Sequence, residues 1–210
     1  MKLVALIVLL LSPALASAET FEGVVNARIG SGEGARVVEA TYQMRDGKLR
    51  METRSAGTTE GSRSVVIMDP VAKTNYVLMP ASKMYMLMPL NPAAVAGEGP
   101  APEIVKTGRK EKIAGYECEH LLIKDKTGDF DAWVATALSA FAGAMGRDGG
   151  WSSALSHQQG FPLKVMRVGG ATIMEVTKIE AKKLDPALFV VPPDYTRRDM
   201  PAGVPRAPKQ

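Results

Sequence analysis

Residues 36–55 read RVVEATYQMRDGKLRMETRS. Apolar and polar side chains alternate from Arg36 to Met44, which puts Val38, Ala40, Tyr42 and Met44 on one side of an extended chain. Asp46-Gly47 follows, a pair suited to the positive backbone angles of a two-residue hairpin turn. Lys48 to Ser55 returns as a second strand with Leu49 and Met51 facing in. Two alternating runs joined this tightly predict an antiparallel hairpin with one buried face.

The same pattern extends in both directions. Phe21 to Ile29 alternates before the hairpin. Ser64 to Met68, Thr74 to Met79 and Lys83 to Met88 follow it, separated by Asp69-Pro70 and Pro80-Ala81-Ser82. Pro89 to Pro102 reads as a surface loop. Ile104 to Ile113, Tyr116 to Asp125 and Phe130 to Val134 make three more strands, with Gly115 and Thr127-Gly128 at the turns. Leu163 to Val168 and Ala171 to Ala181 close the set around Gly169-Gly170.

One segment departs from the alternation. Ala135 to Met145 is rich in Ala and spaces Leu138, Phe141, Ala142 and Met145 as a helix would. Trp151 to His157 suggests a second short helix. Asp185-Pro186-Ala187-Leu188 suggests one helical turn, capped by Asp185 with Pro186 first. A sheet of about ten strands has to curl or be covered. The expected fold class is therefore mainly β with one or two helices (α+β). In it a curled antiparallel sheet forms an unclosed barrel around a helix, with an apolar cavity between them.

Composition narrows the function classes. The chain has 210 residues, 46% hydrophobic and 23% charged, enough for one well-buried domain. Its formal net charge of +4 comes from scattered basic residues, so no nucleic-acid partner is expected. One Cys excludes an internal disulfide framework. The unusual surplus is 12 Met.

The first 18 residues read as a secretory signal peptide. Lys2 precedes the apolar run Leu3 to Leu11, Pro13 breaks it, and Ala16-Ser17-Ala18 offers small residues for cleavage after Ala18. The run is too short to span a bilayer, and no transmembrane segment is expected elsewhere. The expected organisation is a signal peptide at 1–18, a single domain at 19–195 and a Pro-rich mobile tail at 196–210. The expected address is periplasmic or secreted.

Several short stretches, taken in order, carry a resemblance. They are Asn75 to Pro80, Lys83 to Met86, Ile113 to Glu119 and Ala132 to Ala135. Together they resemble the secreted bacterial domain-of-unknown-function family numbered 4412. The ending Leu184 to Pro192 is similar to the close of periplasmic lipoprotein-carrier (LolA-like) domains. The resemblance spans roughly Phe21 to Tyr195. It implies a LolA-like fold, bacterial origin and an apolar interior that accepts acyl chains in the carriers. It transfers no functional residue.

Candidate sites were weighed on chemistry. Lys83 to Met88 places Met84, Met86 and Met88 on one face of a strand. Three readings stay open: core filler, a pliable wall for a lipophilic ligand, and a thioether site for Cu(I). Cys118 and His120 share a strand face, either as a buried thiol beside a satisfied His or as half of a metal or thiol-base site. Asp125, Asp129 and Asp131 lie near a Gly turn without the EF-hand spacing. Lys106, Arg109, Lys110 and Lys112 form a basic run suited to weak contact with anionic headgroups. No catalytic constellation emerges, so a non-enzymatic protein without cofactor or metal is expected.

The function expected is binding of a lipophilic ligand, a lipid or acyl chain, in the cavity between sheet and helix. The lining residues expected are Met84, Met86, Met88, Tyr42, Trp133 and Phe141. Alternatives are a periplasmic copper-handling protein using the Met strand with His120, and a structural envelope protein with a filled core. Envelope proteins are possible partners.

Overall fold

A computed structural model describes residues 21–30, 37–55, 63–89, 102–126, 128–138, 150–156, 158 and 160–199. The expected signal peptide and Phe141 lie outside these residues. Twelve strands form one open sheet. In chain order they are β1 (Gly23–Ile29), β2 (Val38–Arg45), β3 (Lys48–Ser55), β4 (Ser64–Asp69), β5 (Thr74–Met79) and β6 (Met84–Pro89). They continue as β7 (Glu103–Ile113), β8 (Tyr116–Asp125), β9 (Gly128–Ala135), β10 (Phe161–Arg167), β11 (Thr172–Ala181) and β12 (Thr196–Arg197). Their order across the sheet is β12-β6-β5-β4-β3-β2-β1-β11-β10-β9-β8-β7. Every pairing is antiparallel except β12 with β6. The Asp46-Gly47 hairpin forms as expected, with φ of 50° and 74°.

The expected α+β fold class is corrected. Among the described residues the protein is nearly all β. The helix expected from Ala135 does not start there, because Ala135 is the last residue of β9 and pairs with Phe161 of β10. Ladder pairing overrides the helix preference of the Ala-rich sequence at this point. The rest of that segment, 139–149, lies outside the described residues. One seven-residue helix, α1 (Gly150–Ser156), is described. It is no axis for a barrel: Trp151, Ala154 and Leu155 simply bury one face of it in the core.

The sheet bends towards one face, and an aromatic pair shows it. Tyr42 of β2 and Phe161 of β10 are separated by β1 and β11. Three strand gaps of about 4.8 Å would put them roughly 14 Å apart in a flat sheet. Their ring centroids are 5.4 Å apart, edge to face, and both side chains are fully buried. This inner face carries the main core, from Met44, Leu49 and Met68 to Ile123, Phe130 and Leu163.

The outer face is crossed by a strap. After β11 the chain runs back over β1 to β5, places the 3-10 turn Pro186–Phe189, and adds β12 to the free edge of β6. Leu184 and Phe189 bury Val24 from outside. Tyr195 then packs with Tyr76 and Tyr85 over Val65, Ile67 and Leu78. Thr196 and Arg197, which the sequence reading places in the tail, form β12 against β6. Glu22 holds the start of the strap. Its carboxylate accepts the Leu184 N–H at 2.7 Å and pairs with Lys183 at 2.9 Å.

Two predictions follow from this packing. Gly160 has φ of 106°, and a Cβ there would sit 2.6 Å from the Ala135 carbonyl oxygen, whereas a Cβ on Gly47 would meet nothing within 4 Å. Gly160→Ala is expected to cost about 1–3 kcal/mol in denaturant unfolding and more than Gly47→Ala, which carries only backbone strain. The second concerns pH. The Leu184 N–H, then Lys183, hold the Glu22 carboxyl below its ordinary value of 4.5. A lowered folded pKa stabilises above the ordinary value and loses that contribution as pH falls through the folded one. Glu22→Gln should therefore be less stable than the parent at neutral pH, with the gap in unfolding midpoints closing on acidification below about 4.5.

Candidate functional site

Strand register assembles a methionine face. Rungs run straight across β2 to β6. One is Tyr42, Met51, Val66, Val77 and Met86. The next is Met44, Leu49, Met68, Asn75 and Met88. Directly paired residues share a face, and Met79 pairs with Met84 on the same side. Met44, Met51, Met68, Met79, Met84, Met86 and Met88 therefore all lie on the inner face, seven of the 12 in the chain.

Burial grades along this face. Tyr42, Met44, Leu49 and Met68 are fully buried under the main core. Met51, Val66, Val77, Met79, Met84, Met86 and Met88 are half-buried. The core thus runs out into a partly open apolar surface over β5 and β6. Desolvation pushes the Tyr42 phenol well above its ordinary range, as expected for an aromatic deep in the packed part. One polar side chain interrupts the apolar rungs, Asn75, set between Met68 and Met88.

Of the residues expected to line a cavity, Met84, Met86, Met88 and Tyr42 come together on this face. Trp133 does not. It pairs with His120 and Lys164 on the opposite face of the sheet. Its ring meets the His120 ring at 4.6 Å, and the Lys164 ammonium sits 5.3 Å from its centroid. Tyr42 and Phe161 meet on the inner face, and Trp151 and Leu155 of the helix belong to the same buried core. The alternation turns Met44 and Met51 inward, but the sequence reading names none of Met44, Met51, Met68 and Met79 as lining residues. The available signal was the alternation of each strand, which shows a shared face only once the strands are registered.

The second polar concentration surrounds His120, 1% exposed on β8. Opposite it, β7 bulges: the register slips between Lys106 and Lys110, with Gly108 at φ of 75°. The bulge turns Thr107 and Arg109 onto the imidazole. Thr107 Oγ1 lies 2.8 Å from Nδ1, and Asp131 Oδ1 lies 2.8 Å from Nε2. A carboxylate beside Nε2 calls for a proton there, which leaves Nδ1 to accept from the Thr107 hydroxyl. The same hydroxyl is 3.1 Å from the His120 carbonyl oxygen. Arg109 Nη2 is 2.8 Å from both ring nitrogens. An atom equally close to both cannot lie in the ring plane without striking the carbon between them, so this nitrogen sits off the plane, against the ring face.

A cavity of about 240 Å³ lies beside the bulge, lined by Lys106, Gly108, Arg109, Lys110, Glu119 and His120. Cys118 is free and fully buried, and desolvation raises its thiol pKa, which makes the thiolate scarce. His120 and the Met strand lie on opposite faces, so the structure does not bring together the copper ligands weighed from the sequence. Among the described residues no three His, Cys, Asp or Glu side chains form a metal-ligand group. The His120 cluster is internally bonded, and its visible consequence is to pin an edge strand. Asp131→Ala is expected to lower stability by about 1–3 kcal/mol by leaving the buried imidazole without its acceptor. Its effect should not add to that of His120→Ala in a double-mutant cycle read by denaturant titration.

Known proteins place this architecture. No curated protein matches the chain. The solved structure of PNGF-II is similar in two crystal forms, each with a TM-score of 0.50 and 14% identity. The likeness covers 86% and 87% of this chain but only 32% and 31% of those chains, and it shows the fold alone. The chain thus spans about a third of the PNGF-II length. MucB in complex with MucA(peri) matches with a TM-score of 0.39 and 15% identity, over 83% of this chain and 56% of that one, a likeness too low to carry an argument. The family model described as "Domain of unknown function (DUF4412)" matches residues 21–195, and the chain belongs to that family.

Proposed function

We propose that this is an exported, non-enzymatic bacterial domain that binds a lipophilic ligand, a lipid or acyl chain, against the methionine face of β2 to β6. The observation that carries the reading is the gradient on that face. A row of half-buried Met side chains continues a fully buried core, interrupted in one rung by Asn75. Unbranched thioether side chains repack around varied apolar shapes at low cost, as a carrier needs. The signal-peptide pattern before Glu19 supports export. The carrier-like close at Leu184 to Pro192 supports an acyl-chain ligand. Among the described residues no helix is long and apolar enough to cross a membrane.

Native mass spectrometry after gentle purification is the test. The parent chain is expected to retain acyl lipid. Replacing Met84, Met86 and Met88 together by Leu keeps the face apolar and should leave retention intact. Replacing all three by Ser should weaken it about tenfold or more, given the apolar area lost. The same Leu variant would abolish Cu(I) binding through thioethers, so it separates the copper reading. A parent chain that never retains lipid, and does not bind a fluorescent fatty acid, sinks the proposal and favours a structural envelope protein.

A further inference from the structure

Asn75 is the anomaly on the methionine face. It sits in the rung between Met68 and Met88, with Val77 and Met86 in the next rung. Its Oδ1 is buried and has no hydrogen-bond partner. Two other buried polar atoms share that condition, Gln43 Oε1 and Arg63 Nε. Neither is on this face: Gln43 alternates to the other side of β2 from Tyr42, and Arg63 precedes β4, with its guanidinium on Glu52. Asn75 is therefore the one orphaned acceptor among the described residues of the apolar surface read above as the ligand face.

An unpaired buried acceptor is costly, and an apolar residue of similar size would avoid the cost. A purely hydrocarbon ligand on this face would leave that oxygen unpaired, because it offers nothing to bond. A ligand with a hydroxyl or amide N–H beside its hydrocarbon part would satisfy it once the half-buried Asn75 side chain, or its flexible neighbour Met88, shifts to uncover the oxygen. Resting on the lipophilic-ligand reading, we infer that Asn75 is a specificity-determining residue. The ligand class it selects is an acyl lipid carrying a hydrogen-bond donor, a hydroxyl or an amide, along or next to its chain. Sites built to hydrogen-bond such a group discriminate strongly against analogues without it, since the protein's polar atom is then left unpaired.

The test is displacement of a bound fluorescent fatty acid by two sets of competitors. One is an unsubstituted saturated fatty acid. The other is a panel of the same chain length with a single hydroxyl moved along the chain. At least one hydroxylated member is expected to displace at about tenfold lower concentration than the unsubstituted acid, the ratio expected from one satisfied buried acceptor. Asn75→Leu should erase that preference, keep binding of the unsubstituted acid and raise the melting temperature of the free protein. Equal displacement by every competitor in the parent, or a preference that persists in Asn75→Leu, overturns the inference while leaving the lipophilic-ligand reading standing. If the parent binds neither the probe nor any competitor, that underlying reading fails and takes this inference with it.

Discussion

The edge-to-face contact of Tyr42 with Phe161 sets the shape on which the rest depends. Twelve strands in one open sheet leave two long faces, and a flat sheet of that width would leave both in water. Bending brings β2 and β10 within ring contact and turns one face inward. The pair itself contributes only about 0.5–1.5 kcal/mol beyond its burial. Its importance is geometric. With the two rings in contact, the inner side chains of β1, β2, β8, β9, β10 and β11 share one core with α1.

The outer face is solved differently. No second layer covers it among the described residues; a single extended strap does. Leu184 and Phe189 anchor it over Val24 of β1, and Tyr195 anchors it over Val65, Ile67 and Leu78 of β4 and β5. At its end β12 occupies part of the β6 edge, and at the other end of the sheet β7 carries a bulge and several charges. Both devices blunt edges that could otherwise pair with another chain. The His120 cluster belongs to this economy, holding the bulge to β8 and β9 through Thr107, Arg109 and Asp131.

Much of the strand pattern was legible because alternation and turn chemistry are local. β3, β5 and β8 run from Lys48 to Ser55, Thr74 to Met79 and Tyr116 to Asp125, the bounds the alternation predicts. The error came where local preference and pairing disagreed. Ala135 looks like a helix start, yet its partner Phe161 lies 26 residues further on and holds it in a ladder. The candidate site divides in the same way. Met84, Met86 and Met88 were visible as one strand's face. Trp133 was grouped with them because it is aromatic and near the Ala-rich segment, but strand parity puts it on the other side.

The sequence by itself determined the alternating strands, the Asp46-Gly47 turn, the family landmarks and the concentration of Met, all of which are written over a few neighbouring residues. Tertiary structure alone decided how the hairpins come together across the whole sheet and in what register. That choice places seven Met on one face, sets Asn75 among them without a partner, and turns Thr107 and Asp131 onto His120. The physical reason is that a strand's face has a period of two, so its side chains acquire neighbours only when another strand's register is set against it. A tight turn such as Asp46-Gly47 states that register for its own hairpin, and no local pattern states it between distant strands such as β1 and β11.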